Sequence, residues 1–219
     1  MPWKNSWFQI GLLVVVIAGG LLVWDSLPWA EMIMGSRAFN RNDNNQGKQW
    51  LEMAAARGNS RAEAEIGLSY QMGGLGYPQD YVEAMKWDQE AAAQGNMQGE
   101  DYLAELYEGG LGVQQNYAEA MNWWQKAAAQ GDDLAELMVG RFYENGWGVP
   151  KDTAEARRWY QKAAAKGNVL SEYTIGYLYE NGLGVPKDAA TAIQWYQKTN
   201  GFYPAQQRLA ALQGGRTPQ

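Results

Sequence analysis

The chain has 219 residues, a net charge of −6 and a pI near 4.8, and it contains no His and no Cys. Those two absences exclude thiolate nucleophiles, Cys-ligated metals, disulfides and Ser-His-Asp chemistry. The acidic balance, with no run of Lys or Arg, argues against nucleic acid, whose phosphates need gathered cations to release counterions.

Residues Trp7–Trp24 read WFQIGLLVVVIAGGLLVW, with no charge and with Gln9 as the one polar side chain. Eighteen helical residues rise about 27 Å, enough for a hydrocarbon core. Trp3 and Trp7 at one end, and Trp24 and Trp29 at the other, fall where interfacial aromatic belts belong. Residues 1–29 are therefore predicted to be a retained transmembrane anchor. A cleaved signal peptide is the alternative, but the apolar run is long and only Lys4 precedes it. The nearest cleavage candidate, ending at Ala30, puts Pro28 at an unfavourable position. Lys4 before the helix and Arg37 and Arg41 after it leave the positive-inside balance nearly even. A short tail inside with the long domain exported is the simpler topology. The expectation is a single-pass inner-membrane protein with its repeats on the periplasmic side. Gly11 and Ala18, seven residues apart, share a helix face. They either seat another membrane helix or are ordinary small residues of a membrane span.

Beyond a linker and half unit at 30–59, a period of 36 residues governs the chain. Trp87, Trp123, Trp159 and Trp195 repeat at that spacing, as do Gly76, Gly112, Gly148 and Gly184, and Ala84, Ala120, Ala156 and Ala192. Such a period is the signature of stacked supersecondary units. Each unit reads as two helices. The first carries small residues at Ala62, Gly99, Ala135 or Ser171, and again five residues on at Gly67, Ala104, Gly140 or Gly176. Small side chains there let a neighbouring helix approach. The second begins at Asp80, Asn116, Asp152 or Asp188, all good N-caps, and Gly95, Gly131 and Gly167 stop it. Ala and Trp three apart make a buried stripe, so the Trp series is expected in the core. Neither helix buries its apolar face alone, so the units stack into a superhelix.

The loops GYPQD, GVQQN, GVPKD and GVPKD, with AEAEIG, KAAAQG and KAAAKG, resemble the Sel-one-like repeat family, a cousin of the tetratricopeptide repeats. The resemblance covers about Asn42 to Tyr203. It implies an all-α fold, a right-handed α/α solenoid of about four repeats (60–203) behind the transmembrane helix, with a preceding half unit. Residues 204–219 would form a C-terminal capping helix and tail, since the fourth unit ends KTNGFY instead of KAAA. It also implies adaptor or scaffold function, often in bacterial membrane or envelope assemblies. Asp88, in place of the aromatic that comes after the repeat Trp, and Glu90, in place of Lys, depart from the pattern.

For chemistry, the Gly-rich loops lack the strand and the Lys-Ser/Thr ending of a phosphate cradle and read as interhelix turns. The ladder Glu63, Glu100, Glu136 and Glu172 could bind a cation or act as acid and base. Repeat spacing favours a structural role in the interhelix contact. No catalytic residue, cofactor or metal site is assigned, and a carboxylate-only hydrolase is the catalytic alternative. Function in a repeat array is expected where units differ. Along the first helices the free positions include Tyr102, Leu137, Met138, Arg141, Tyr173 and Tyr177, with Trp147 replacing Leu in a loop. Tyr, Met and Arg are enriched at interfaces. These seven residues are the predicted partner-binding set, and the partners expected are proteins, namely subunits of a membrane complex. An envelope glycan-binding or enzyme-regulating module is the alternative, with Tyr102, Tyr173 and Tyr177 as its aromatic platform.

Overall fold

The computed structural model describes residues 14–17, 20–23 and 44–214. Strands β1 (Val14–Ile17) and β2 (Gly20–Val23) pair antiparallel, with Val14 opposite Val23 and Ile17 opposite Gly20. This departs from the helix expected over Trp7–Trp24. Val14, Val15, Val16 and Ile17 are β-branched and suit a strand by local preference. In hydrocarbon an isolated pair would leave edge N–H and C=O groups unbonded, a cost that a helix avoids. The rest of that segment, Gly11 and Ala18 included, lies outside the described residues. Among the described residues no helix is long and apolar enough to cross a membrane.

Ten helices come next among the described residues: α1 (Asn44–Ala56), α2 (Ser60–Met72), α3 (Tyr81–Ala93), α4 (Met97–Gly109), α5 (Tyr117–Gln130), α6 (Asp133–Asn145), α7 (Thr153–Ala165), α8 (Val169–Asn181), α9 (Ala189–Lys198) and α10 (Tyr203–Gly214). The chain divides into two compact units, residues 1–102 and 103–219, so α4 contributes to both. Consecutive helices pack against each other from α1 to α3 and from α5 to α10. Their ends are set by the residues the sequence singles out. Asp80, Asn116, Asp152 and Asp188 each accept two backbone N–H bonds at the starts of α3, α5, α7 and α9. Such caps contribute about 1 kcal/mol each. Asn59 accepts two such bonds for α2, and Asp132 and Asn168 accept one each for α6 and α8. Gly131 stops α5 at φ 96°, a conformation that L side chains resist.

The first unit has its core at Leu51, Ala54, Ala55, Ala62, Ile66 and Tyr77. Tyr77 stands where the later loops carry Val113, Val149 and Val185, and its ring meets Tyr70 edge-on at 4.8 Å. In the second unit Gly148 (φ 66°) lets its loop dock on the start of α5. A Cβ there would lie 2.6 Å from the Tyr117 carbonyl carbon. At the C-terminal end Ala192, Tyr196 and Ala205 are buried, with Phe202, Leu209 and Leu212 packed over them. Helix α10 thus covers the apolar face that α9 would otherwise expose.

The tryptophan expectation needs correction. Trp87, Trp123, Trp159 and Trp195 are only half-buried. The residue after each is the one driven inside: Asp88, Trp124, Tyr160 and Tyr196 are 0%, 1%, 0% and 1% exposed. The buried stripe of α7 is Ala156, Tyr160, Ala163 and Ala164, spaced by four, three and one. Trp159 sits on its flank, with the Lys162 ammonium 3.8 Å from its ring centroid. Trp123 with Lys126 and Trp195 with Lys198 repeat that arrangement at 3.5 and 3.8 Å. Glu90 takes the Lys position beside Trp87.

Candidate functional site

The buried aromatics create the fixed part of the site. Each donates a hydrogen bond to a Glu sixteen residues earlier, at the end of the first helix. Trp124 Nε1 reaches Glu108 Oε2 at 3.3 Å, Tyr160 Oη reaches Glu144 Oε2 at 2.5 Å, and Tyr196 Oη reaches Glu180 Oε2 at 2.6 Å. Burial, and then the bond to Glu144 or Glu180, pushes both Tyr phenols far above their ordinary range. In the first unit the polarity is reversed, and Gln71 Nε2 donates to Asp88 Oδ2 at 2.9 Å. Opposite the aromatic lies a small residue. A Cβ on Gly140 would come 2.5 Å from Tyr160 Cε1, and one on Gly176 would come 2.7 Å from Tyr196 Cδ1.

Above this frame, in the second unit, lies a groove of about 320 Å³ lined by Glu105, Glu108, Gly109, Trp124, Leu134 and Met138. It runs between α4 and α6 with Trp124 as its floor. Partial desolvation, and then the neighbouring Glu108, raises the Glu105 carboxyl above its ordinary value. Much of the Glu105 residue is nevertheless exposed. Leu134, 43% exposed, and Met138 supply the apolar wall.

The predicted partner-binding residues divide on this geometry. Met138 lines the groove. Arg141, exposed on the next turn, donates to the Met138 sulfur at 3.5 Å, and its guanidinium carbon lies 5.9 Å from the Trp147 ring. Two of the expected surface positions are buried: Leu137, 5% exposed, packs with Tyr160 and Ile175 in the core, and Met138 is 9% exposed where it meets the groove. Trp147 is half-buried, stacked on Tyr117 at 5.5 Å and edge-on to Phe142 at 5.6 Å. Tyr173 packs against Tyr196 and Phe202, and the Arg208 guanidinium covers Tyr177 at 5.2 Å. Tyr102 is half-buried on the part of α4 that belongs to the first unit. Glu105, Glu108 and Leu134 escaped the predicted set. Glu105 was visible as a position that varies between units, whereas Glu108 repeats as Glu144 and Glu180 and so reads as framework.

Two members of the Glu ladder, Glu63 and Glu136, make contacts between helices. Gln94 Nε2, just past α3, donates to Glu63 on α2, and Lys166, just past α7, pairs with Glu136 of α6 at 2.8 Å. Burial, then the charge of Glu90, raises the Glu63 carboxyl above its ordinary value. A carboxyl raised in the folded state keeps its proton after the unfolded chain has released its own. Stability is therefore lost as pH rises from the ordinary carboxylate value through the raised one. Glu63→Gln should flatten that acid-side decline in melting temperature while keeping the contact with Gln94. An unchanged slope would show that Glu63 is ordinary in the folded protein. Among the described residues no group of three or more His, Cys, Asp or Glu side chains could hold a metal.

Stacked α/α hairpins on a repeating packing frame define a helical-repeat protein. The Sel1 repeat model matches residues 39–59, 60–96, 99–132, 133–168 and 169–199, and the chain belongs to the Sel1 repeat family. Proteins of this family are in general protein-interaction scaffolds and are generally not catalytic. The fold is similar to that of a protective antigen present in uropathogenic Escherichia coli strains, at 37% identity and a TM-score of 0.82. That match covers 86% of this chain and 42% of the antigen, so the chain spans less than half of that relative's length. A Sel1 repeat protein from Oxalobacter formigenes is 31% identical with a TM-score of 0.78, covering 86% of this chain and 80% of that one. A sel1 repeat protein from Klebsiella pneumoniae shares the fold alone, at 20% identity and a TM-score of 0.55, over 84% and 92% of the two chains. No curated protein sequence matches the chain.

Proposed function

We propose that this chain is a non-catalytic scaffold that holds a protein partner at a membrane, as an accessory or assembly subunit of a membrane complex. One observation carries the reading. The groove between α4 and α6 opens over a frame repeated from unit to unit, yet is walled by residues in which the units differ, Glu105 and Met138 among them. A surface built to be filled, on a frame that does not depend on its identity, is what a recognition module needs. The composition favours binding over catalysis, since neither His nor Cys is available as base, nucleophile or ligand.

The tether in this proposal is residues 7–24, helical within the inner membrane, with the repeats in the periplasm. Its apolar run and flanking Trp support it. Tethering raises the effective concentration of a membrane-bound partner, so modest affinity suffices. Affinity purification of the tagged protein from membranes in mild detergent tests both halves. The expected result is a stoichiometric protein partner together with an intact mass of about 24.4 kDa. Recovery of a species that lacks the apolar segment would remove the tether. A preparation in which no protein co-purifies from any fraction would remove the scaffold.

A further inference from the structure

We propose that the α4–α6 groove is an arginine receptor: it takes one Arg side chain from an extended segment of the partner, with an aliphatic neighbour of that Arg resting on Leu134. The inference rests on the scaffold reading and names what the scaffold recognises.

The chain contains its own precedent, one hairpin from its end. Glu180 accepts Tyr196 Oη on Oε2 and the Arg208 guanidinium on Oε1, the latter at 3.1 Å. Arg208 comes from the next helix, α10, and its guanidinium carbon lies 5.2 Å from the Tyr177 ring. Two repeats earlier the same frame recurs with one part missing. Glu108, 72 residues before Glu180, accepts Trp124 Nε1 on Oε2 and is also part of the groove lining. The facing helix, α6, lines the groove with Met138 and Leu134, and its Arg141 sits one turn on, against the Met138 sulfur and not on either carboxylate. At the Tyr177 position stands Glu105, a second carboxylate one turn from the first. Among the described residues neither Glu105 nor Glu108 is ion-paired with a Lys or Arg.

Two carboxylates a helical turn apart repel each other, and partial desolvation strengthens that repulsion. A cation placed between them relieves it. The intervening hairpin is already relieved, because Arg141 occupies the position of Glu105 beside Glu144. The acidic groove is thus confined to one place on the second unit. Its size and lining choose among cations. A volume of about 320 Å³ with apolar walls suits a side chain with a methylene stem far better than a hydrated metal ion. A planar fork of five donors can serve two carboxylates at once, which an ammonium cannot do with the same geometry. The partner segment is therefore expected to place Arg next to Leu, Ile, Val or Met.

The test is selection of a displayed random peptide library on the full-length protein in detergent. Peptides enriched for Arg with an adjacent aliphatic residue are expected. Their affinity should fall at least tenfold, an order-of-magnitude figure, for the E105Q/E108Q variant, and more gently as salt is raised. Exchange of the peptide Arg for Gln should match the effect of the protein variant, with Lys intermediate. Glu105 is exposed, so E105Q alone keeps the fold if the double variant does not, and it should lose several-fold. Enriched peptides that lack Arg, or that bind E105Q and E108Q unchanged, would overturn the arginine receptor while leaving the scaffold standing. Selection that enriches nothing, alongside purification that recovers no partner, would overturn both.

Discussion

Tyr160→Ala is expected to lower the unfolding free energy by about 3–5 kcal/mol, whereas Trp159→Ala, one residue away, is expected to cost about 1–2 kcal/mol. Tyr160 is fully buried among Leu137, Ala163, Ile175 and Leu178, and its removal leaves a cavity those neighbours cannot close. It also strips the donor from Glu144 Oε2. The half-buried Trp159 loses mostly flank packing and its contact with Lys162. Chemical denaturation of the two variants measures the difference. The reverse order would return the Trp series to the core.

Gly140→Leu should be the other severe change, at about 3 kcal/mol, the upper end of the usual overpacking cost. Its first added atom alone would meet Tyr160 Cε1 at 2.5 Å and the Ala156 carbonyl oxygen at 3.1 Å. The two positions face each other, so their effects should not add. Gly140→Leu in the Tyr160→Ala background has a hole to fill and should cost markedly less than it does alone. A double-mutant cycle reads that coupling directly. Additive losses would mean that α6 and α7 yield by shifting their backbones instead of through this contact.

The helix ends were legible because capping is local. Asp152 caps the backbone N–H groups of residues two and three places on, and nothing distant can alter that requirement. The spacing of small residues at Ala135 and Gly140 was legible for a related reason, since close approach admits few side chains. The phase of the second helix was not. Ala156, Trp159, Ala163 and Ala156, Tyr160, Ala163 both fit a 3.6-residue period, and the larger, more apolar ring is not the one inside. What selects Tyr160 is the Glu144 carboxylate waiting at the end of the preceding helix, a tertiary fact. The groove was half legible. Met138 stands out because it varies between units, but Glu108 both accepts from Trp124 and lines the groove, and its repetition as Glu144 and Glu180 hides the second role.

The hydrogen bonds between hairpins also fix how the chain can assemble. Asn168 Nδ2 reaches Asp133, and Lys166 Nζ reaches the Gly131 carbonyl, each 35 residues back. In the first unit Asn96 reaches Ser60 across 36 residues. Aromatic-to-Glu bonds close over only 16. Every one of these ties is satisfied by a stretch about one repeat long, so contact order is low and no helix among them waits for a distant partner. During synthesis at roughly 5–20 residues per second, a repeat is complete within seconds of the one before it. Each hairpin can therefore dock on a finished neighbour while the next is still emerging from the ribosome.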